Sequence, residues 1–171
     1  MALNYKIDHI DKQILEILQE NAKITNAQLS KDINLSPAPT LERVKKLEHA
    51  GYIQSYHARL DAQKLGLGVA TFVSVKLNKH NKASNESFVK QVREIDEIVE
   101  CHYVTGSSDY VLKVVSKDID SYQSLIMNKI SEISEVDNMQ TLVILNTIKD
   151  SDSLPIPETT PILAKNIDNN Q

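Results

Sequence analysis

Two apolar spacings divide this chain. Through about residue 50, apolar side chains recur every three or four positions, the spacing of one face of a helix; from Val69 they alternate with polar ones, the spacing of a strand. The first helix is predicted from about Asp8 to Asn21, with Asp8 or Asp11 near its start and Ile10, Ile14, Leu15, Ile17 and Leu18 as its apolar stripe. A second opens at Thr25, where the hydroxyl and the Gln28 amide have the spacing of a capping box, and it turns Leu29 and Ile33 to one side. Asn34 stands where a left-handed residue is wanted, and Ser36-Pro37 reads as an N-cap followed by a first-turn proline. On the third helix Thr40, Val44 and Leu47 share a face with Leu41 at its border, leaving Ala38, Pro39, Glu42, Arg43, Lys45, Lys46 and His49 outside. Pro39 biases Ala38 away from helical geometry, so a distorted first turn is expected.

After Ala50-Gly51, the β-branched and aromatic content of Tyr52 to Leu60 predicts a small wing strand. Residues 61–67 form a linker. The alternation of Val69, Thr71, Val73, Val75 and Leu77 then predicts a strand. A helix follows over about Asn85 to Ile95, then strands Ile98 to Thr105 and Tyr110 to Val115 around a Gly106-Ser107-Ser108-Asp109 turn. A helix from Asp118 carries Ile119, Tyr122, Leu125, Ile126, Ile130 and Ile133 inward, and a last strand runs from about Val136 to Lys149. The order βαββαβ is the ferredoxin-like arrangement, a sheet with helices on one face. Its second face should be polar, yet Phe72, Leu142 and Ile144 make it apolar, so a second copy of the chain is the simplest cover. The fold class is therefore α+β: a winged helix-turn-helix over 1–60, the linker, a ferredoxin-like domain over 68–150, and a tail over 151–171 rich in Pro, Ser, Thr and Asn that reads as disordered. Leu154, Ile156, Ile162 and Leu163 are the residues with which that tail would dock on a neighbour.

Charge changes the picture in one respect. The net charge of −4 is unusual for a DNA binder, but residues 1–61 hold eight basic and eight acidic side chains, so the excess acid belongs to the later part. Arg43, Lys45, Lys46 and Arg59 against Glu48 make a local basic patch. A short-chained entry at Ser36, Ala38 and Pro39 followed by cations suits close approach to a phosphate-lined groove; the plainer alternative is an αα-hairpin with a solvated basic face. Arg43 is the residue whose planar fork fits a guanine edge, while Lys45 and Lys46 suit phosphates. No apolar run reaches the length of a membrane span and the N-terminus lacks a signal-peptide core, so the cytoplasm is expected. Cys101 and His102, adjacent in a strand, point to opposite faces and cannot chelate one ion, and neither a metal, a cofactor nor a catalytic group is expected.

The segments Ile7 to Leu18, LSPAPTLERVKKLEHAGYI at 35–53 and ECHYVTGSSDYVLKV at 100–114 resemble the Lrp/AsnC family of transcriptional regulators, over residues 5 to about 150. The resemblance implies DNA binding by the first domain, dimers formed through the sheets of the second, and assembly to octamers. It also implies an effector, usually an amino acid, near the 106–109 turn and the last strand. Carried onto this chain, the effector residues are Gly106, Ser107, Ser108, Asp109, Gln140 and Thr141, with Met139 beside them. Asp109 suits the effector ammonium and the Gly106 backbone its carboxylate; a hairpin turn with Asp109 capping backbone is the alternative. Ser107 stands where the family has an acidic residue, which leaves the effector's identity open. Two other classes remain in view: an amino-acid sensor acting on a protein partner, and an enzyme, because some tetrapyrrole decarboxylases share the architecture.

Overall fold

Asp8 begins the first helix, α1 (His9–Glu20), by accepting from the Asp11 N–H at 2.9 Å while the Asp11 carboxylate accepts from the Asp8 N–H at 3.0 Å. The two carboxylates thus satisfy donors that the first turn leaves without helical partners. In this computed structural model, which describes residues 5–158, α2 (Asn26–Asp32) and α3 (Pro37–His49) follow. Thr25 caps α2 through its hydroxyl, which accepts from Gln28 N at 3.1 Å, but the Gln28 amide turns forward to Asp32 at 2.7 Å and only half of the predicted box forms. Asn34 adopts φ 55°, the left-handed conformation expected of it. Pro39 leaves α3 unbroken, because the backbone N–H that proline lacks is one of the first-turn donors without a helical acceptor. Ile7, Ile14, Leu29, Ile33 and Leu47 form the core of this unit, with Val44, Tyr52 and Ile53 packed on it.

The predicted wing strand is not formed: no strand occurs between Tyr52 and Asp61. A strand needs a partner to satisfy its backbone, and this unit offers no other strand among the described residues; Tyr52 and Ile53 fold back on the helical core instead. The segment from Asp150 belongs to the same unit. It carries no regular secondary structure through residue 157, yet its backbone is tied down, since Leu154 N donates to Gln19 at 2.6 Å and Leu154 O accepts from Gln19 at 3.2 Å. Arg59 pairs with Asp150, and Lys12 donates to the Glu158 carbonyl. Leu154 itself is exposed, and Ile162 and Leu163 lie outside the described residues.

The second unit, Leu60–Lys149, is built on four strands, β1 (Val69–Leu77), β2 (Ile98–Tyr103), β3 (Tyr110–Ser116) and β4 (Val136–Val143), antiparallel in the order β2-β3-β1-β4. The predicted linker, at the start of this unit, closes as a single turn, with Leu65 N on Asp61 O and Leu67 N on Ala62 O. Between β1 and β2 stands α4 (Lys82–Arg93), which begins three residues earlier than its apolar spacing predicts because Asn81 caps it, accepting from Ser84 N at 2.9 Å. Between β3 and β4, α5 (Ile119–Leu125) continues into a π-helical turn, Ile126–Ile130. Ile119 is half-exposed, not inward as its spacing suggests, while Tyr122, Leu125, Ile130 and Ile133 are buried.

Alternate residues of β1 and β3 and the buried faces of both helices meet in one core, including Val73, Val75, Phe88, Leu112 and Val114. Phe88 and Tyr110 stack with ring centroids 4.6 Å apart. The other sheet face stays uncovered. Phe72 lies directly opposite Leu142 there, 37% and 51% exposed, so the apolar second face anticipated from the sequence is present. β4 ends at Val143, six residues short of the predicted end; its ladder with β1 closes at the pair Thr71–Val143, followed by the bond from Ile144 N to Ala70 O.

Candidate functional site

The outer edge of α3 is assembled by polar links at its start. Asn26 Nδ2 donates to Pro37 O at 2.8 Å and joins the opening of α2 to that of α3. Thr40, fully buried, donates its hydroxyl to Ser36 O at 3.0 Å, and the Ser36 hydroxyl makes no capping bond of its own. Ser36, Ala38, Pro39, Glu42, Lys45 and Lys46 are exposed. Lys45 stands 3.6 Å from Glu42, one turn back, and both remain in solvent, so the pair neutralises little. His49 Nδ1 lies 2.7 Å from Lys45 O, and Glu48 accepts from Tyr56 Oη at 2.9 Å. Burial, and then that bond, push the Tyr56 phenol up to about 12.

Arg43 is not part of this edge. Its Nη1 donates to Asp8 Oδ2 at 2.8 Å and to Asp11 Oδ1 at 2.7 Å, which turns the guanidinium toward the N-terminus of α1. Of the fork expected to read a base, Nη1 is committed to two carboxylates, and the side chain is 29% exposed. Sequence reasoning missed Asp8 and Asp11 as its partners. The signal was the spacing: Arg43 comes three residues after Thr40 and four before Leu47, which places it beside the inner face.

In the second unit, Gly106 takes φ 139°, a conformation that side chains avoid, and opens the β2–β3 turn. Ser107 is exposed and Ser108 partly so. Asp109 is largely occupied: its Oδ2 accepts from Leu77 N at 2.8 Å, its own N–H donates to Val75 O at 2.9 Å, and its carbonyl accepts from Val104 N at 2.9 Å. The carboxylate thus takes over from β3 where β1 ends. His80 Nδ1, which the sequence reading did not select, lies 3.4 Å from Asp109 Oδ1.

Gln140 and Thr141 occupy successive positions of β4 and therefore point to opposite faces. Gln140 pairs with Ser74 on the uncovered face; Thr141 Oγ1 is 2.6 Å from Tyr122 Oη on the helix side. Because β1 pairs with β3 on one side and β4 on the other, it separates the turn from Gln140 and Thr141. The six effector residues expected from the sequence do not converge on one cavity within one chain. Among the described residues no group of His, Cys, Asp and Glu is arranged to hold a metal ion, and no helix is long and apolar enough to cross a membrane.

Comparison with known proteins matches residues 7–54 to a winged helix-turn-helix DNA-binding model and residues 70–154 to the Lrp/AsnC ligand-binding domain. The transcriptional regulator AzlB of Bacillus subtilis is 37% identical over 152 residues, 89% of this chain and 97% of that one. The leucine-responsive regulatory protein of Escherichia coli K12 is 38% identical over 150 residues, 88% of this chain and 92% of the relative. Among solved structures, a transcriptional regulator of Neisseria meningitidis in complex with L-Met superposes with a TM-score of 0.84 at 34% identity, covering 87% of this chain and 96% of that one.

Proposed function

The chain belongs to the Lrp/AsnC family of transcriptional regulators, and from that premise we propose that it binds double-stranded DNA through the exposed edge of α3 under the control of a small amino-acid effector. The observation that carries the DNA half is that edge: Ser36, Ala38 and Pro39 present little bulk at the helix start, and Lys45 and Lys46 extend into solvent a turn or two later. Short side chains let the backbone near the groove wall, and the two ammonium groups meet phosphates as the helix leaves it. Arg43 is left out of these contacts because its guanidinium is already held by Asp8 and Asp11.

The apolar strip around Phe72 and Leu142 is the surface on which a second copy seats, and the dimers assemble further, to an octamer. Several α3 edges on one assembly engage repeated sites along DNA at high effective concentration, which offsets the weak patch of a single subunit. The effector binds where the 106–109 turn of one chain meets a neighbouring subunit, the Gly106 and Ser107 backbone facing its carboxylate and Gln140 or Thr141 completing the site from another copy. What supports this arrangement is that β1 lies between the turn and β4 within one chain. Asp109 shapes that turn through Leu77 N and meets the effector ammonium with Oδ1, the oxygen shared with His80. The role is recognition, not catalysis, carried out in the cytoplasm.

The test is a gel shift on genomic fragments with and without each amino acid, alongside light scattering of the same sample. The expected result is a large assembly that shifts DNA, with one amino acid altering mass or affinity. Lys45→Ala and Lys46→Ala should each lower the slope of log affinity against log salt by about 1. An assembly that responds to no amino acid would sink the effector half, and an unchanged salt slope the assignment of α3.

A further inference from the structure

The cluster around Arg43 has a geometry that neither solvated surface charge nor base recognition explains. Asp11 is 1% exposed and fully engaged: Oδ1 accepts from Arg43, and Oδ2 from Tyr5 Oη at 2.9 Å and from the Asp8 N–H at 3.0 Å. Asp8 Oδ1 caps α1 and Oδ2 takes the other contact of Arg43 Nη1. Tyr52, just beyond α3, donates to Tyr5 O at 2.9 Å, so the segment before α1 and the segment after α3 meet at the same place. Two stretches that are remote in sequence, residues 5–11 and 43–52, are joined by polar bonds centred on one guanidinium. The apolar contacts between α1 and α3 bury both helices but, being nondirectional, leave their mutual angle loosely set; hydrogen bonds of fixed length do not.

We infer that Arg43 is a positioning residue for DNA recognition: tied to Asp8 and Asp11, it fixes the angle at which α3 is presented and does not itself read a base. Base reading by Nη1 requires it to leave both carboxylates. That would strand the Asp11 carboxylate, buried and charged, without its cation. It would also uncover Asp8, which is half-exposed, near the phosphates. Burial pushes the Asp8 carboxyl up, but the Asp11 N–H and the Arg43 guanidinium outweigh it and hold it below the ordinary value. Arg43 itself is raised by its bonds to Asp11 and Asp8. The inference rests on α3 being the DNA-facing helix.

The experiment uses a duplex enriched from a random library by the wild-type protein, together with every single-base variant of that duplex. Arg43→Ala should bind roughly ten- to a hundredfold more weakly, the worth of a lost charge-assisted hydrogen bond, by the same factor on every variant duplex and with an unchanged salt slope. Asp8→Asn, at a half-exposed position that folds without difficulty, should weaken binding in the same direction, and the double variant should be no weaker than the worse single one. Loss of discrimination at one base pair, a salt slope lower by about 1, or tighter binding by Asp8→Asn would overturn the inference. Should Arg43→Ala fail to fold, the Asp8→Asn arm and Arg43→Lys decide: the lysine keeps the charge on a shorter side chain without the planar fork, so binding stays the same or falls uniformly if Arg43 positions and falls selectively if it reads. The two readings separate through Lys45→Ala and Lys46→Ala. If both keep wild-type affinity and slope, or the wild type enriches no duplex, the assignment of α3 fails and this inference with it; if they lower the slope while Arg43→Ala loses base discrimination, the inference alone fails.

Discussion

The helical unit and the sheet unit solve the same problem, holding a small recognition surface still, by different means. The sheet unit has thirteen buried core residues and four strands whose ladders set register through the backbone. Among its described residues the helical unit has five, and no ladder joins its helices; their mutual arrangement depends on side chains. Register in the first is insensitive to any one side chain, whereas angle in the second is not. A recognition helix on the second kind of scaffold is therefore open to change by single polar substitutions, and a turn on the first kind is open mainly to changes in the backbone.

The largest effects that would break this contrast lie in the cores. Phe88 is fully buried against Tyr110, and Phe88→Ala should cost about 3–5 kcal/mol. Leu47, also fully buried, should cost about 2–5 kcal/mol as Leu47→Ala. In the smaller core Leu47 is one of few anchors, so its loss should expose amides throughout α1, α2 and α3 while those of β1 and β3 stay protected. Phe88→Ala should do the reverse. Amide exchange followed by mass spectrometry separates the two, and loss of protection in both units from either variant would show that they do not unfold as distinct bodies.

How much of this was legible beforehand follows the same division. The two periodicities, the Asn34 turn, the element order βαββαβ and the apolar second face came from local patterns, because burial writes itself into spacing. The wing strand over Tyr52–Leu60 failed because β propensity reports a fit to a half-buried sheet and says nothing of whether a partner strand exists. The end of β4 failed likewise: Leu145 suits a strand, yet the ladder with β1 stops at Val143 and Leu145 is 94% exposed. Among the site residues, Lys45 and Lys46 lie on the outside as read, and Arg43 does not. Its partners are more than thirty residues away, and charge alone cannot tell a side chain that faces DNA from one that faces a buried carboxylate. Asp109 illustrates the converse, a local turn signal read correctly as a turn, with its backbone bond to Leu77 visible only once β1 and β3 are paired.

A mid-sized effect sharpens the backbone side of the contrast. Nothing lies within 4 Å of a Cβ built on Gly106, so Gly106→Ala introduces no clash; the cost comes from φ 139° alone. That conformation is worth about 1–3 kcal/mol against a side chain. The expected result is a modest loss of stability confined to the β2–β3 turn, seen as faster exchange at Val104, whose N–H donates to Asp109 O and closes the hairpin, and at Asp109, whose N–H donates to Val75 O. Ser107→Ala, next to it, should leave both unchanged. Equal effects from the two would mean that the turn depends on side chains after all.

The smallest effect, and the one that compares the units under a single variable, is acid. In the sheet unit, Lys129 bonds both oxygens of Glu97 at 3.0 Å and holds its carboxyl below the ordinary 4.5, and Lys113, at 2.7 Å, does the same for Glu100. In the helical unit Asp8 is held below 3.8. A carboxyl lowered by folding contributes stability that is complete above its unfolded value and disappears as the pH falls through its folded one. Loosening should therefore begin below 4.5 in the sheet unit and only below 3.8 in the helical unit. Each of these groups is more than a third exposed, so solvent screening limits it to about 0.2–1 kcal/mol. Glu97→Gln should flatten the upper step and Asp8→Asn the lower one, measured as amide protection in each unit during an acid titration. If the helical unit loosens first, its polar network is weaker than its geometry implies, and the angle of α3 must then be held mainly by Leu47 and the apolar contacts around it.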